Sequence, residues 1–148
     1  MVRRSTEARV TKSASIGLEG RYAHDGEDTR WDGGATAKYW IAPASVLLEG
    51  EGQLIRQSLT AGGARTQIVN YLLASWFVHD GWMLDVGLGE YNEDIAVKDV
   101  DLEAIDVNLH WFATSHWEFL MTNRIQTITL GAGGQTSGWA LLQFHYRL

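Results

Sequence analysis

The last nine residues, Ala140-Leu-Leu-Gln-Phe-His-Tyr-Arg-Leu148, set an apolar or aromatic side chain at every second position. Ala140, Leu142, Phe144, Tyr146 and Leu148 share one parity. Gln143, His145 and Arg147 share the other, with Trp139 and Leu141 further back. Successive side chains of a strand point to opposite faces, so this segment reads as a strand with one greasy face and one wet face. A soluble edge strand can alternate in the same way, so the rest of the chain has to carry the reading.

The chain has 148 residues, enough for one domain with a sizeable interior. It is expected to form a single β domain, with residues 1–11 as a poorly ordered N-terminal segment. Sixteen Gly, one Pro, seven Trp and five Tyr favour strands joined by turns over a helical bundle. Cysteine is absent, which removes disulfides and thiolate chemistry. A net charge of -6 argues against nucleic acid, whose phosphates demand a basic face. No apolar run reaches the length of a membrane helix, but membrane strands need only about 10 alternating residues each. Two early arginines, Arg3 and Arg4, precede no apolar stretch, so the N-terminus does not read as a signal peptide. An exported protein needs one, so the chain is expected to be a mature form or a piece of a longer protein.

Period two recurs along the chain and predicts about eight strands. They cover Lys12 to His24, Thr29 to Ile41, Ser45 to Gln57, Gln67 to Val78, Trp82 to Tyr91, Ala104 to Phe112, His116 to Ile128 and the terminal segment. The fourth is apolar on both sides, and its parity stays open. Helices want period 3.6, so the pattern points to an all-β fold. Pro43 falls in a turn, where its missing N–H costs nothing.

The connections are expected to alternate between long and short. Short turns are expected at Ala42–Ala44, His79–Gly81 and Ala113–Ser115, and longer loops at Asp25–Asp28, Ser58–Thr66, Asn92–Glu103 and Thr129–Ser137. In an up-and-down meander, alternate connections lie at opposite ends. The expected architecture is therefore an antiparallel up-and-down transmembrane β-barrel of about eight strands, with short turns at one end and long loops at the other. An even strand number would put both termini at the short-turn end.

On this parity, Glu19, Arg21, Lys38, Glu49, Glu51, Asp85, Asp106, His110, Glu118 and Arg124 oppose the apolar set and are expected to line the lumen. Acids and bases are mixed, and in a narrow interior such groups must pair. The functional reading is a channel lining that tunes ion selectivity; the plainer one is a plug of salt bridges. An eight-stranded interior is just filled by side chains, whereas an aqueous pore needs about 16 strands, so strand count favours the plug. Trp31, Trp82, Trp111, Trp117, Phe119 and Tyr146 sit near strand ends, as membrane-interface aromatics do.

Catalytic and cofactor readings find little support. His110, His116 and Glu118 are close in sequence, but no third zinc ligand is evident, and no metal or cofactor is expected. Gly131–Gly138 is glycine-rich but lacks the Gly-Lys-Ser/Thr ending of a phosphate loop. No serine stands in a nucleophile-elbow context, and the chain is not expected to be an enzyme.

The terminal strand resembles that of bacterial outer-membrane β-barrels, in which an apolar C-terminal residue, usually Phe, follows an aromatic two positions earlier. Here Leu148 stands in place of Phe. The segment Asp106-Val-Asn-Leu-His-Trp-Phe-Ala-Thr-Ser-His-Trp-Glu-Phe-Leu-Met-Thr-Asn-Arg124 is similar to the penultimate short-turn hairpin of Gram-negative porin-like proteins. This resemblance covers about the last 45 residues at motif level and the upstream strands in pattern alone. It implies export to the outer membrane, a lipid bilayer or detergent around the barrel, and passive diffusion of solutes. It further implies that Phe144, Tyr146 and Leu148 form an insertion signal read by the barrel-assembly machinery. Porins of that kind have 12 to 18 strands, so the chain is either a complete small barrel or part of a larger one that closes alone or with a second copy. The alternative is a soluble lipocalin-like barrel binding a small apolar ligand, which would exchange inside and outside.

Overall fold

The computed structural model describes residues 2–24, 28–58, 63–97, 100–114 and 116–146. They form one antiparallel sheet of nine strands in chain order. The strands are β1 (Val2–Arg9), β2 (Ala14–His24), β3 (Thr29–Ile41), β4 (Val46–Ser58), β5 (Ala64–His79), β6 (Trp82–Asn92), β7 (Val100–Phe112), β8 (Trp117–Leu130) and β9 (Gly133–Tyr146). All-β architecture and an up-and-down order are as the alternation predicts.

Four expectations need correction. The count is nine, because β1 pairs with β2 from Val2↔Tyr22 to Arg9↔Ser15, within the stretch expected to be poorly ordered. Its sequence, Val-Arg-Arg-Ser-Thr-Glu-Ala-Arg, has no apolar face to betray it; the backbone ladder to β2 does the work that side-chain alternation does elsewhere. Secondly, the sheet is open: β1 and β9 are its edges, and the described residues show no pairing between them.

The third correction concerns the connections. The β1–β2, β3–β4, β5–β6 and β7–β8 connections belong to one end of the sheet, hereafter the near end, and the β2–β3, β4–β5, β6–β7 and β8–β9 connections to the far end. The lengths no longer separate cleanly. The glycine-rich stretch expected as a loop is strand from Gly133 onward, in register with β8 from Gly133↔Leu130, and only Gly131 and Ala132 turn. Fourthly, an odd count sends β1 and β9 in the same direction, both ending at the near end, so the first and last strands do not start and finish on one side.

Directly opposed residues share a face, so the registers assign every side chain. Leu84, Leu109, Met121 and Leu142 form one cross-strand row, and Leu72, Leu88, Ile105 and Ile125 another. This face is exposed: Leu142 is 74 % accessible and Leu72 60 %. The opposite face is the sheltered one, and there Asp32 is 2 % accessible, Asp106 4 % and Glu118 6 %. The usual arrangement of a water-soluble domain is inverted. The register also settles β5: Gln67, Val69, Tyr71, Leu73, Ser75 and Phe77 lie on the sheltered face. Val69, Leu73 and Phe77 are what hid its parity.

One turn glycine is indispensable. Gly81 has φ +79°, and a Cβ there would lie 2.7 Å from the Phe112 carbonyl oxygen. Its own carbonyl accepts the Phe112 N–H at 2.7 Å, tying the β5–β6 turn to the end of β7.

Candidate functional site

The ten charged residues singled out from sequence all fall on the sheltered face, carried there by β2, β3, β4, β6, β7 and β8. They form separate ion-pair groups. At mid-height, Lys38 Nζ meets Glu49 Oε1 at 2.7 Å across β3–β4. Arg124 holds Asp106 across β7–β8 with Nε–Oδ1 at 2.6 Å and Nη2–Oδ2 at 2.8 Å. Between these pairs runs a groove of about 260 Å³ lined by Thr36, Lys38, Glu49, Glu51, Tyr71 and Leu73. Glu19 lies one level away, with Gln53 Nε2 donating to its Oε1 at 3.4 Å.

Tyr71 reaches across the groove onto β6. Its ring rests on Gly87, where a Cβ would stand 2.9 Å from Tyr71 Cζ and closer still to the hydroxyl. Only a residue without a side chain leaves that hollow, and sequence reading missed Tyr71 because β5 gave no parity.

Charge is graded along the face. At the far end Arg21 and Arg30 flank one buried acid, Asp32, and Arg65 stands two strands away on β5. Arg30 Nε donates to Asp32 Oδ1 at 2.7 Å, Arg21 Nη1 lies 3.8 Å from Oδ2, and Arg65 pairs with Glu93 at 2.7 Å. Asp32 was overlooked in the sequence, although the Arg30-x-Asp32 spacing puts both on one side of a strand. At the near end the groups on β6 to β9 are acids and histidines. His110 lies between Asp85 and Glu118, with Nε2–Oδ2 at 3.1 Å and Nδ1–Oε1 at 3.0 Å, and His145 Nδ1 lies 3.3 Å from Glu118 Oε2. His116, considered with them as a metal ligand, sits in the turn beside the Tyr146 ring instead. Among the described residues no three potential ligands converge.

The aromatics form a belt on the exposed face. Trp82, Trp111, Phe119 and Phe144 make one cross-strand row, with centroids 5.5, 5.2 and 4.9 Å apart in turn. Trp117 continues it against Phe144 at 4.6 Å and Tyr146 at 4.4 Å. Trp31 stands at the far end opposite Tyr22. Trp76 also belongs to the exposed face, while Trp40 and Phe112 point to the sheltered one. Leu148 lies outside the described residues, so of the three terminal positions only Phe144 and Tyr146 are placed, both outward.

No family model matches the chain, and no curated protein does. Among solved structures it is similar to an anion-selective porin from Comamonas acidovorans, with a TM-score of 0.65 at 16 % identity. The match covers 90 % of this chain and 43 % of that one, so the chain spans less than half the porin's length. At that identity the likeness establishes the fold: a porin-like antiparallel β-wall.

Proposed function

We propose that the chain forms part of the wall of a porin-like passive diffusion channel in the outer membrane of a Gram-negative bacterium. Its apolar face meets lipid and its charged face meets an aqueous lumen. The observation that carries this reading is the sorting of the two faces across β6 to β8: Leu84, Leu88, Leu109 and Ile125 stand on the exposed face, and Asp85, Asp106 and Glu118 on the sheltered one. A typical soluble monomer shows a largest apolar patch of roughly 300–600 Å², and an apolar band running from β2 to β9, interrupted by Asn123, has no place in water. On β6 the band holds Trp82, Leu84, Val86 and Leu88, roughly 20 Å along the strand, with Glu90 just beyond it.

The small plugged barrel suggested by strand count takes second place, because its sheet would have to close on itself and β1 and β9 are not paired among the described residues. A lipocalin-like barrel is not favoured, since it would bury the leucines. Partners on this reading are lipid, the barrel-assembly machinery and whatever completes the wall.

The test is to refold the chain into vesicles containing brominated lipids. Trp82, Trp111 and Trp117 should be quenched by shallow bromines, and the refolded species should run as a compact band that shifts only on boiling. A chain that stays monomeric in buffer without detergent would rule the proposal out. Conductance across a planar bilayer then reads whether the wall encloses a pore.

A further inference from the structure

His110 meets a carboxylate at each ring nitrogen, Asp85 on β6 and Glu118 on β8. A neutral imidazole has one N–H and one lone pair, so it can donate to only one of them and turns its lone pair toward the other. Both contacts become hydrogen bonds when the ring carries both protons. Glu118 uses its second oxygen toward His145 on β9. Four groups on four successive strands thus form one relay, and its centre is sheltered: the side chains of His110 and Glu118 are 14 % and 8 % accessible. Further along the same face lie Asp106 on β7 and Arg124 on β8, already committed to each other. Among the described residues, His110 and His145 are the histidines that the registers place on this face.

We infer that the relay Asp85–His110–Glu118–His145 makes the ion preference of the channel face depend on pH. The inference rests on the lumen reading above. With both rings protonated, two imidazolium charges cancel two carboxylates and the relay is neutral. With both rings neutral, the same four groups carry two negative charges. Imidazole is the side chain whose charge ordinarily changes in the physiological range. Rising pH therefore makes the near end more negative, favouring small cations over anions there. The arginines at the far end keep their charge throughout, so the gradient along the face steepens as pH rises.

The test uses the whole chain refolded into a planar bilayer under a KCl gradient. Reversal potentials are read at about pH 5 and about pH 8, the range over which imidazole changes charge. The K⁺/Cl⁻ permeability ratio should rise about threefold between them, as expected for two unit charges acting at roughly 8 Å through water and screened by salt. The double variant His110→Gln/His145→Gln should show one ratio at both values, and His145→Gln alone about half the change. A wild-type ratio that does not move with pH overturns the inference. Absence of any current would instead sink the channel reading, and the relay is then read by itself from ¹⁵N imidazole spectra in detergent. Those should show both His110 nitrogens protonated at about pH 5 and one by about pH 8, with Glu118→Gln altering the signals of both rings. A singly protonated His110 throughout would dispose of the relay.

Discussion

Arg124 grips Asp106 through two parallel hydrogen bonds across the β7–β8 ladder, at 2.6 and 2.8 Å. The carboxylate is almost wholly covered, while the guanidinium remains partly open to solvent. Such a fork is worth more than a single contact because its geometry is fixed at both ends. Removing the cation leaves a covered charge unpaired, which costs more than the pair itself contributes. Arg124→Met should lower stability by about 2 kcal/mol, and the double variant Arg124→Met/Asp106→Leu by much less. Urea titration of the refolded protein, followed by tryptophan fluorescence, checks both.

Tyr71 and Gly87 fit together as ridge and hollow. Gly87→Ala places a methyl group against Tyr71 Cζ and must push the ring out of its seat. The expected loss is about 1–3 kcal/mol, as for other overpacked sites. Tyr71→Ala in the same chain should restore most of it, because the obstacle is then gone. The temperature at which the compact gel band gives way to the unfolded one reports the order of the parent and the two variants.

The two faces of the sheet should answer oppositely to a new charge. Val86 lies at the middle of the exposed face, opposite Val107, and Val86→Arg should cost about 2–4 kcal/mol in a bilayer. Gln126→Arg, on the sheltered face opposite Ala104, should fold nearly as well as the parent. Comparing the refolded fractions of the two variants in vesicles is the measurement. Equal losses would contradict the assignment of faces.

Glu90 and Glu103 are direct cross-strand partners on the exposed face, just beyond the apolar band. Asn70 donates to Glu90 at 3.1 Å but leaves the like charges opposed. Glu103→Gln should therefore stabilise the sheet by about 0.2–1 kcal/mol, with the gain shrinking as salt is added. Unfolding midpoints at low and high ionic strength would show it.

Parity was enough to sort Lys38, Glu49, Asp106, Arg124, Glu118 and His110 onto one side of the sheet, because a strand's period is fixed by covalent geometry. Parity cannot say who faces whom. That Arg124 meets Asp106 and that Glu118 joins two histidines depends on register, which turns and neighbouring strands decide together. β1 escaped because its polar residues leave no alternation to read. The start of β9 escaped because Gly133, Gly134 and Gly138 mimic a loop, although their backbone groups simply continue the ladder of β8. Asp32 could have been found from Arg30 two residues earlier; Tyr71 could not, since Val69 and Leu73 beside it made that face look as apolar as the other.

The two free edges of the sheet, β1 and β9, point the same way. That imposes an arithmetic on anything that completes the wall. Bridging them with antiparallel neighbours throughout takes an odd number of added strands: seven would make a wall of about sixteen, the size that holds water. An even number leaves one parallel seam. Two copies set side by side about an axis along the wall leave two, where hydrogen bonds slant and hold slightly less per residue. The direction of a single edge strand thus restricts which assemblies can close without a weak line down the side.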